Sequence, residues 1–177
     1  RSKTSLLIGD EAMVTAFAEL VDRPCLSWDE LRHTRSLSLE PAGLEVDGVA
    51  LIQFSSGTTR RPQPILLGSQ ALLQNSRAVL EKFPGGAENH SLVSWLPLYH
   101  DMALIGCFLP PVLAPGDLTL MGPEVFAVRP STWLRAISSE RATTSSAPNF
   151  ALSYCTDRIS EQELEELDLS SWRIAMV

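Results

Sequence analysis

The chain has 177 residues, a formal net charge of −7, 45% hydrophobic and 20% charged residues, the makeup of a soluble globular protein with one sizeable core. The negative balance, with lysine only at Lys3 and Lys82, argues against a nucleic-acid or anionic-membrane partner. No apolar run reaches the roughly 18–20 residues needed to span a bilayer, so no membrane span is expected.

Ser5–Ile8 reads as a short strand and Glu11–Val21 as a helix; Ser27-Trp28-Asp29-Glu30 fits a capping box. Gly48-Val49-Ala50-Leu51-Ile52-Gln53-Phe54 is nearly continuous in apolar residues, the pattern of a strand covered on both faces. From Ser69, the residues Leu72, Ser76, Val79, Leu80 and Phe83 form one helical stripe, which Pro84-Gly85-Gly86 stops. Leu92–Leu96 is the next strand. Asp101 caps an apolar helix to about Leu109, where Pro110-Pro111 should end it. After the Pro115-Gly116-Asp117 turn, Leu118–Met121 is a strand, and Ser131–Glu140 is a helix with Trp133, Leu134 and Ile137 inward. Ala142–Ser146 is a strand, and Pro148-Asn149-Phe150 turns into a helix followed by a capping box at Ser160-x-x-Glu163. Trp172–Val177 reads as a central strand, and a strand of that kind normally feeds a functional loop. The chain is therefore expected to be an internal piece of a larger domain. Alternating strands and helices imply an α/β fold, a layered, mostly parallel sheet flanked by helices.

Cys25, Cys107 and Cys155 are odd in number and far apart, as are His33, His90 and His100. That spacing suggests neither disulfides nor a metal site, and suits free thiols in the reducing cytoplasm.

The densest chemistry lies in Phe54-Ser55-Ser56-Gly57-Thr58-Thr59-Arg60-Arg61-Pro62. Four hydroxyls, a glycine and two arginines suit a polyphosphate: glycine lets backbone N–H groups converge on an anion, and hydroxyls donate to its oxygens. The same composition suits a plain polar surface turn. No G-x-x-x-x-G-K-[ST] motif is present. Three further segments fall at predicted strand ends: Pro97–Met102, Ser145–Phe150 and Val177. Ligands of open parallel sheets bind at those ends.

Several phrases carry a resemblance: Leu51-Ile52-Gln53-Phe54-Ser55-Ser56-Gly57-Thr58-Thr59-Arg60, Ser94-Trp95-Leu96-Pro97-Leu98-Tyr99-His100-Asp101-Met102, Phe126-Ala127-Val128-Arg129-Pro130, Pro148-Asn149-Phe150-Ala151 and Leu167-Asp168-Leu169-Ser170-Ser171-Trp172-Arg173. In one register over essentially the whole chain, they resemble the fatty acyl-AMP ligases of the adenylate-forming superfamily. The resemblance implies that residues 1–177 are an internal part of the large N-terminal AMP-binding domain, without the C-terminal domain. It implies a parent enzyme that uses ATP and Mg2+ (the magnesium ligands lying outside this chain) to convert a fatty acid to acyl-adenylate and pyrophosphate. The acyl group would then pass to the phosphopantetheine thiol of an acyl carrier protein. The isolated piece is expected to be inactive.

By the same resemblance, Ser55, Ser56, Gly57, Thr58, Thr59 and Arg60 would hold the β- and γ-phosphates. His100 would be the catalytic residue that orients carboxylate or phosphate; alternatively it is only satisfied by Asp101, itself more a cap than a catalyst. Met102 and Ile105 would line the acyl tunnel or simply fill the core. Ala147, Pro148 and Asn149 would wall the acyl chain, while Trp95, Trp133 and Trp172 would pack. Gln63 and Pro64 stand where many superfamily members have Lys and Gly, Ala103 where glycine is usual, and Ser145-Ser146-Ala147 where a Gly-rich run is usual. Alternative readings are an acyl-CoA synthetase, a peptide-synthetase adenylation domain, or a degenerate homologue that binds acyl or carrier ligands without catalysis.

Overall fold

A computed structural model describes residues 6–33, 48–55, 62–83, 90–114 and 116–177. The chain divides into two compact units, Arg1–Gly43 and Leu44–Val177. The first unit is a small strand–helix–strand: β1 (Leu7–Gly9) and β2 (Cys25–Ser27) pair in parallel, with α1 (Glu11–Ala18) between them and α2 (Trp28–His33) after. Asp10 caps α1 by accepting from the Met13 N–H at 2.7 Å. The predicted box at α2 forms, with Ser27 N–H donating to Glu30 and Glu30 N–H to the Ser27 hydroxyl. Helix α1 stops three residues before the predicted end.

In the second unit, β3 (Val49–Phe54) and β4 (Pro64–Gly68) form an antiparallel hairpin, followed by α3 (Ser69–Glu81). This corrects two expectations. Residues 1–177 by themselves do not cover strand β3 on both faces: Val49, Ile52 and Phe54 are each more than half exposed within them. Nor does the hydroxyl loop lead straight into a helix, because Pro64-Ile65-Leu66-Leu67-Gly68 supplies a second strand. Pro64 does no harm there. It faces Phe54, and the neighbouring bond from Ser55 N–H to Gln63 O makes that a pair without mutual hydrogen bonds. The N–H that proline lacks is one the ladder never asks for.

The remaining strands are β5 (His90–Ser94), β6 (Gly116–Leu120), β7 (Thr144–Ser146) and β8 (Ile174–Met176), all parallel in the spatial order β6-β5-β7-β8. The predicted parallel α/β sheet is present. Strand β5 is its centre, and Leu92 and Val93, which point to opposite faces, are both buried. Within residues 1–177, strand β8 pairs with β7 and is partly buried.

The β5–β6 connection is a π-helical segment (Met102–Phe108) running into α4 (Leu109–Leu113). The prolines expected to end this helix instead open α4, at positions whose N–H groups would have no partner inside that helix. Just ahead of them the winding is wider, and Leu109 N–H reaches back five residues to Leu104 O. The β6–β7 connection is α5 (Pro123–Val128), which was not predicted, and α6 (Ser131–Ser139). The β7–β8 connection is α7 (Asn149–Arg158) and α8 (Glu161–Glu165).

Aromatic rings fill the space between α5, α6 and the sheet. Trp95 stacks on Phe126 with ring centres 3.9 Å apart, and Trp133 meets the edges of Trp95, Phe126 and Trp172. The Trp133 indole donates to the Ser145 hydroxyl at 2.9 Å, which donates to Val93 O at 2.6 Å, so these three buried polar groups of α6, β7 and β5 satisfy one another.

Candidate active site

The chain leaves β5 for β6 on one side, then crosses back past β5 to β7 and continues outward to β8. The connections leaving β5 and β7 therefore diverge, and a crevice opens between the carboxyl ends of those two neighbouring strands. A cavity of ≈ 440 Å³ lies there. Its walls are Trp95, Leu96, Pro97, His100 and Met102 after β5, Pro123 after β6, and Pro148 and Phe150 after β7. Among the described residues that face the cavity, His100 brings the one ionisable side chain and the others are apolar or aromatic. Such a space favours a hydrocarbon or aromatic group and leaves one polar end to meet a charge.

His100 is held at the mouth by its own turn. Its N–H donates to Pro97 O at 2.9 Å, and its carbonyl accepts from Ala103 and Leu104 at the start of the π-helix. Nδ1 lies 2.8 Å from Asp101 Oδ1 and 3.2 Å from the Met102 nitrogen. Both contacts occupy Nδ1, which donates to the Asp101 carboxylate when it carries a proton and accepts the Met102 N–H when it does not. That leaves Nε2 as the ring atom available to a ligand. Asp101 also accepts the Met102 N–H at 2.8 Å, so it both caps the helix and orients the ring.

Among the other residues singled out by the sequence, Met102 and Pro148 join His100 at the cavity, while Ile105, Ala147 and Asn149 are not among its lining side chains. Ala147 is buried behind the wall, its N–H donating to Met176 O. Asn149 opens α7, one residue past Pro148. Ala103 is fully buried against the core. Of the hydroxyl loop, Ser56, Gly57, Thr58, Thr59 and Arg60 lie outside the described residues. Ser55, at its root, is fixed twice: its N–H donates to Gln63 O, and its hydroxyl accepts the Gln63 N–H at 2.9 Å.

Three contributors were not read from the sequence. Pro123 comes from a helix that was not predicted, and Leu96 was read only as the end of a strand, whereas Phe150, 61% exposed, belonged to the Ser145–Phe150 segment expected at a strand end. Trp95, expected simply to pack, also lines the cavity, and its buried indole N–H has no hydrogen-bond partner among the described residues. Cys107, on the buried side of the π-helical segment, is fully enclosed, and burial pushes its thiol pKa up, which disfavours it as a nucleophile at neutral pH.

Residues 5–177 match the family of AMP-binding enzymes. A medium-chain fatty acid–[acyl-carrier-protein] ligase of Teredinibacter turnerae is 34% identical over 139 residues, 77% of this chain and 21% of that protein. A 4-hydroxyphenylalkanoate adenylyltransferase of Mycobacterium tuberculosis is 33% identical over 147 residues, 82% of this chain and 24% of that protein. Among solved structures, a fatty acyl-adenylate ligase from L. pneumophila, in complex with acyl adenylate and pyrophosphate, superposes with a TM-score of 0.88 at 33% identity, covering 98% of this chain and 31% of that one. The chain thus spans about a fifth to a third of the length of these relatives.

Proposed function

The chain belongs to the family of AMP-binding enzymes, and from that premise we propose that the whole protein is a fatty acyl-AMP ligase of the cytoplasm, with residues 1–177 forming an internal part of its large N-terminal domain. A carboxylate oxygen of the fatty acid attacks the α-phosphorus of ATP, the new P–O bond forms as the bond to the bridging oxygen breaks, and pyrophosphate leaves. The thiol of a carrier protein's phosphopantetheine arm then attacks the acyl carbon, giving a thioester and releasing AMP. The observation that carries this reading is the apolar cavity with a single histidine at its mouth, at the divergence of β5 and β7.

The chemistry asks for alignment and charge stabilisation more than for a side-chain nucleophile. In this reading Met102, Pro148 and Phe150 hold the hydrocarbon chain and exclude water, with Ile105, Ala147 and Asn149 supporting the wall. His100, oriented by Asp101, meets the carboxylate and α-phosphate end through Nε2. Ser55, Ser56, Gly57, Thr58, Thr59 and Arg60 hold the β- and γ-phosphates. Magnesium would screen the polyphosphate, and no group of three His, Cys, Asp or Glu able to hold it occurs among the described residues.

The reading is tested by incubating the whole protein with ATP, magnesium, coenzyme A and either fatty acids of several lengths or a 4-hydroxyphenylalkanoate, with products identified by mass spectrometry. Acyl-adenylate accumulating from fatty acids without acyl-CoA is the expected result. Acyl-CoA would move the protein to the synthetases, adenylation of the aryl acid alone would reassign the acid, and no acyl product would leave a binder without catalysis.

A further inference from the structure

Two parts of the proposed site come from distant stretches of chain, and one side chain ties them together. Gln53 lies in β3 two residues before Ser55, opposite Ile65 in the hairpin. Its Nε2 donates to the carbonyl oxygen of Tyr99 at 2.9 Å, across 46 residues of sequence. A carbonyl accepts only, so the amide must present nitrogen to it. Tyr99 immediately precedes His100, whose N–H and carbonyl are both fixed within the same turn. On the other side, Ser55 is pinned to Gln63 through both its N–H and its hydroxyl. An ordered path therefore runs from the root of the hydroxyl loop, along β3, through the Gln53 amide, to the backbone that carries His100.

The surroundings explain why a directed bond matters here. Within residues 1–177 the hairpin has little apolar anchorage: Val49, Ile52, Phe54, Ile65 and Leu66 are all about half exposed or more. Tyr99 is 83% exposed, so packing does not fix its backbone either. A hydrogen bond constrains distance and direction where apolar contact is sparse.

We propose that Gln53 is a positioning residue, holding the Ser55 end of strand β3 and the His100 turn in the mutual register that attack of the carboxylate on the α-phosphorus requires. This inference rests on the ligase reading. Alignment errors of an ångström are costly in such a step, whereas binding of either substrate alone is less sensitive to the register.

The test separates the two half-reactions in the whole protein. Gln53→Met keeps length and removes the donor; Gln53→Glu keeps length and polarity and, ionised, also lacks a donor. Both variants should slow fatty-acid-dependent exchange of pyrophosphate into ATP by roughly five- to tenfold, the worth of one neutral hydrogen bond. The fall should be in kcat, with KM for ATP and acid changed less than about twofold, and acylation of the carrier from supplied acyl-adenylate and the melting temperature should be unaffected. Exchange within about twofold of the parent overturns the inference while the ligase reading stands. A parallel fall of both half-reactions and of melting temperature makes Gln53 merely structural and also overturns it. Absence of exchange in the unsubstituted protein overturns the ligase reading itself.

Discussion

Gly116 opens β6 against the first residue of β5, where a Cβ would lie 2.6 Å from the His90 carbonyl oxygen. That oxygen belongs to a strand at the centre of the sheet and cannot move cheaply. Gly116→Ala should therefore destabilise the protein by about 1–3 kcal/mol, the usual cost of forcing atoms into a packed site; a urea midpoint equal to the parent's would contradict the close approach. The sequence marked this glycine only as part of a turn. Composition can flag that a glycine is present, but not that a neighbouring strand passes within contact of it. The same limit applies to Gln53, whose partner is 46 residues away and is a backbone atom, invisible to any side-chain pattern. His100 and Asp101 were legible because they are adjacent, and adjacency is enough to bring Nδ1 and a carboxylate oxygen to 2.8 Å. The three tryptophans were legible as packing residues because rings of that size gain most from burial, though the sequence could not say that Trp95 would also face the cavity.

Between elements, Glu163 joins more structure than any other carboxylate described. It completes the capping box of α8 with Ser160, pairs with Arg129 at 3.0 Å, and accepts from the Ser131 hydroxyl at the start of α6. The Arg129 guanidinium, then the Ser131 hydroxyl and the Ser160 backbone, lower its pKa from 4.5 to about 2. A carboxyl whose folded pKa is lowered stabilises the fold above its unfolded pKa and loses that contribution as pH falls toward the folded value. Glu163→Gln should accordingly lower the urea midpoint at near-neutral pH, and the gap from the parent should close as pH falls from about 4.5 to about 2; a gap independent of pH would place the effect in packing instead. The sequence supplied the capping box, because its four-residue spacing is local. It could not supply Arg129 or Ser131, which arrive through the fold. Where elements were misread, the reason was also non-local. Strand β3 has the apolar content of a buried strand, but its pairing partner is the adjacent hairpin strand β4, and residues 1–177 leave Val49, Ile52 and Phe54 more than half exposed. Pro110 and Pro111 read as a stop because the π-turn that lets a helix restart at them leaves no sequence mark.

For the molecule as a whole, the parallel α/β sheet followed from the alternation of strand and helix signals, and the strand order did not. Order β6-β5-β7-β8 is what makes the connections diverge after β5 and β7 and gathers Pro97, His100, Met102, Pro148 and Phe150 around one space. A second apolar cavity of ≈ 210 Å³ lies among α6, α7, α8 and the Leu169–Trp172 segment, including Trp133, Cys155, Ile159 and Leu164. The two cavities make the central claim directly testable. A fatty acid carrying a photoreactive diazirine along its chain, irradiated with the whole protein and mapped by peptide mass spectrometry, should label Met102 and the Pro148–Phe150 peptide, with labelling suppressed by excess unlabelled fatty acid. Suppressible labelling confined to Leu152–Trp172, or outside residues 1–177 altogether, would contradict the assignment of the acyl site to the β5–β7 crevice.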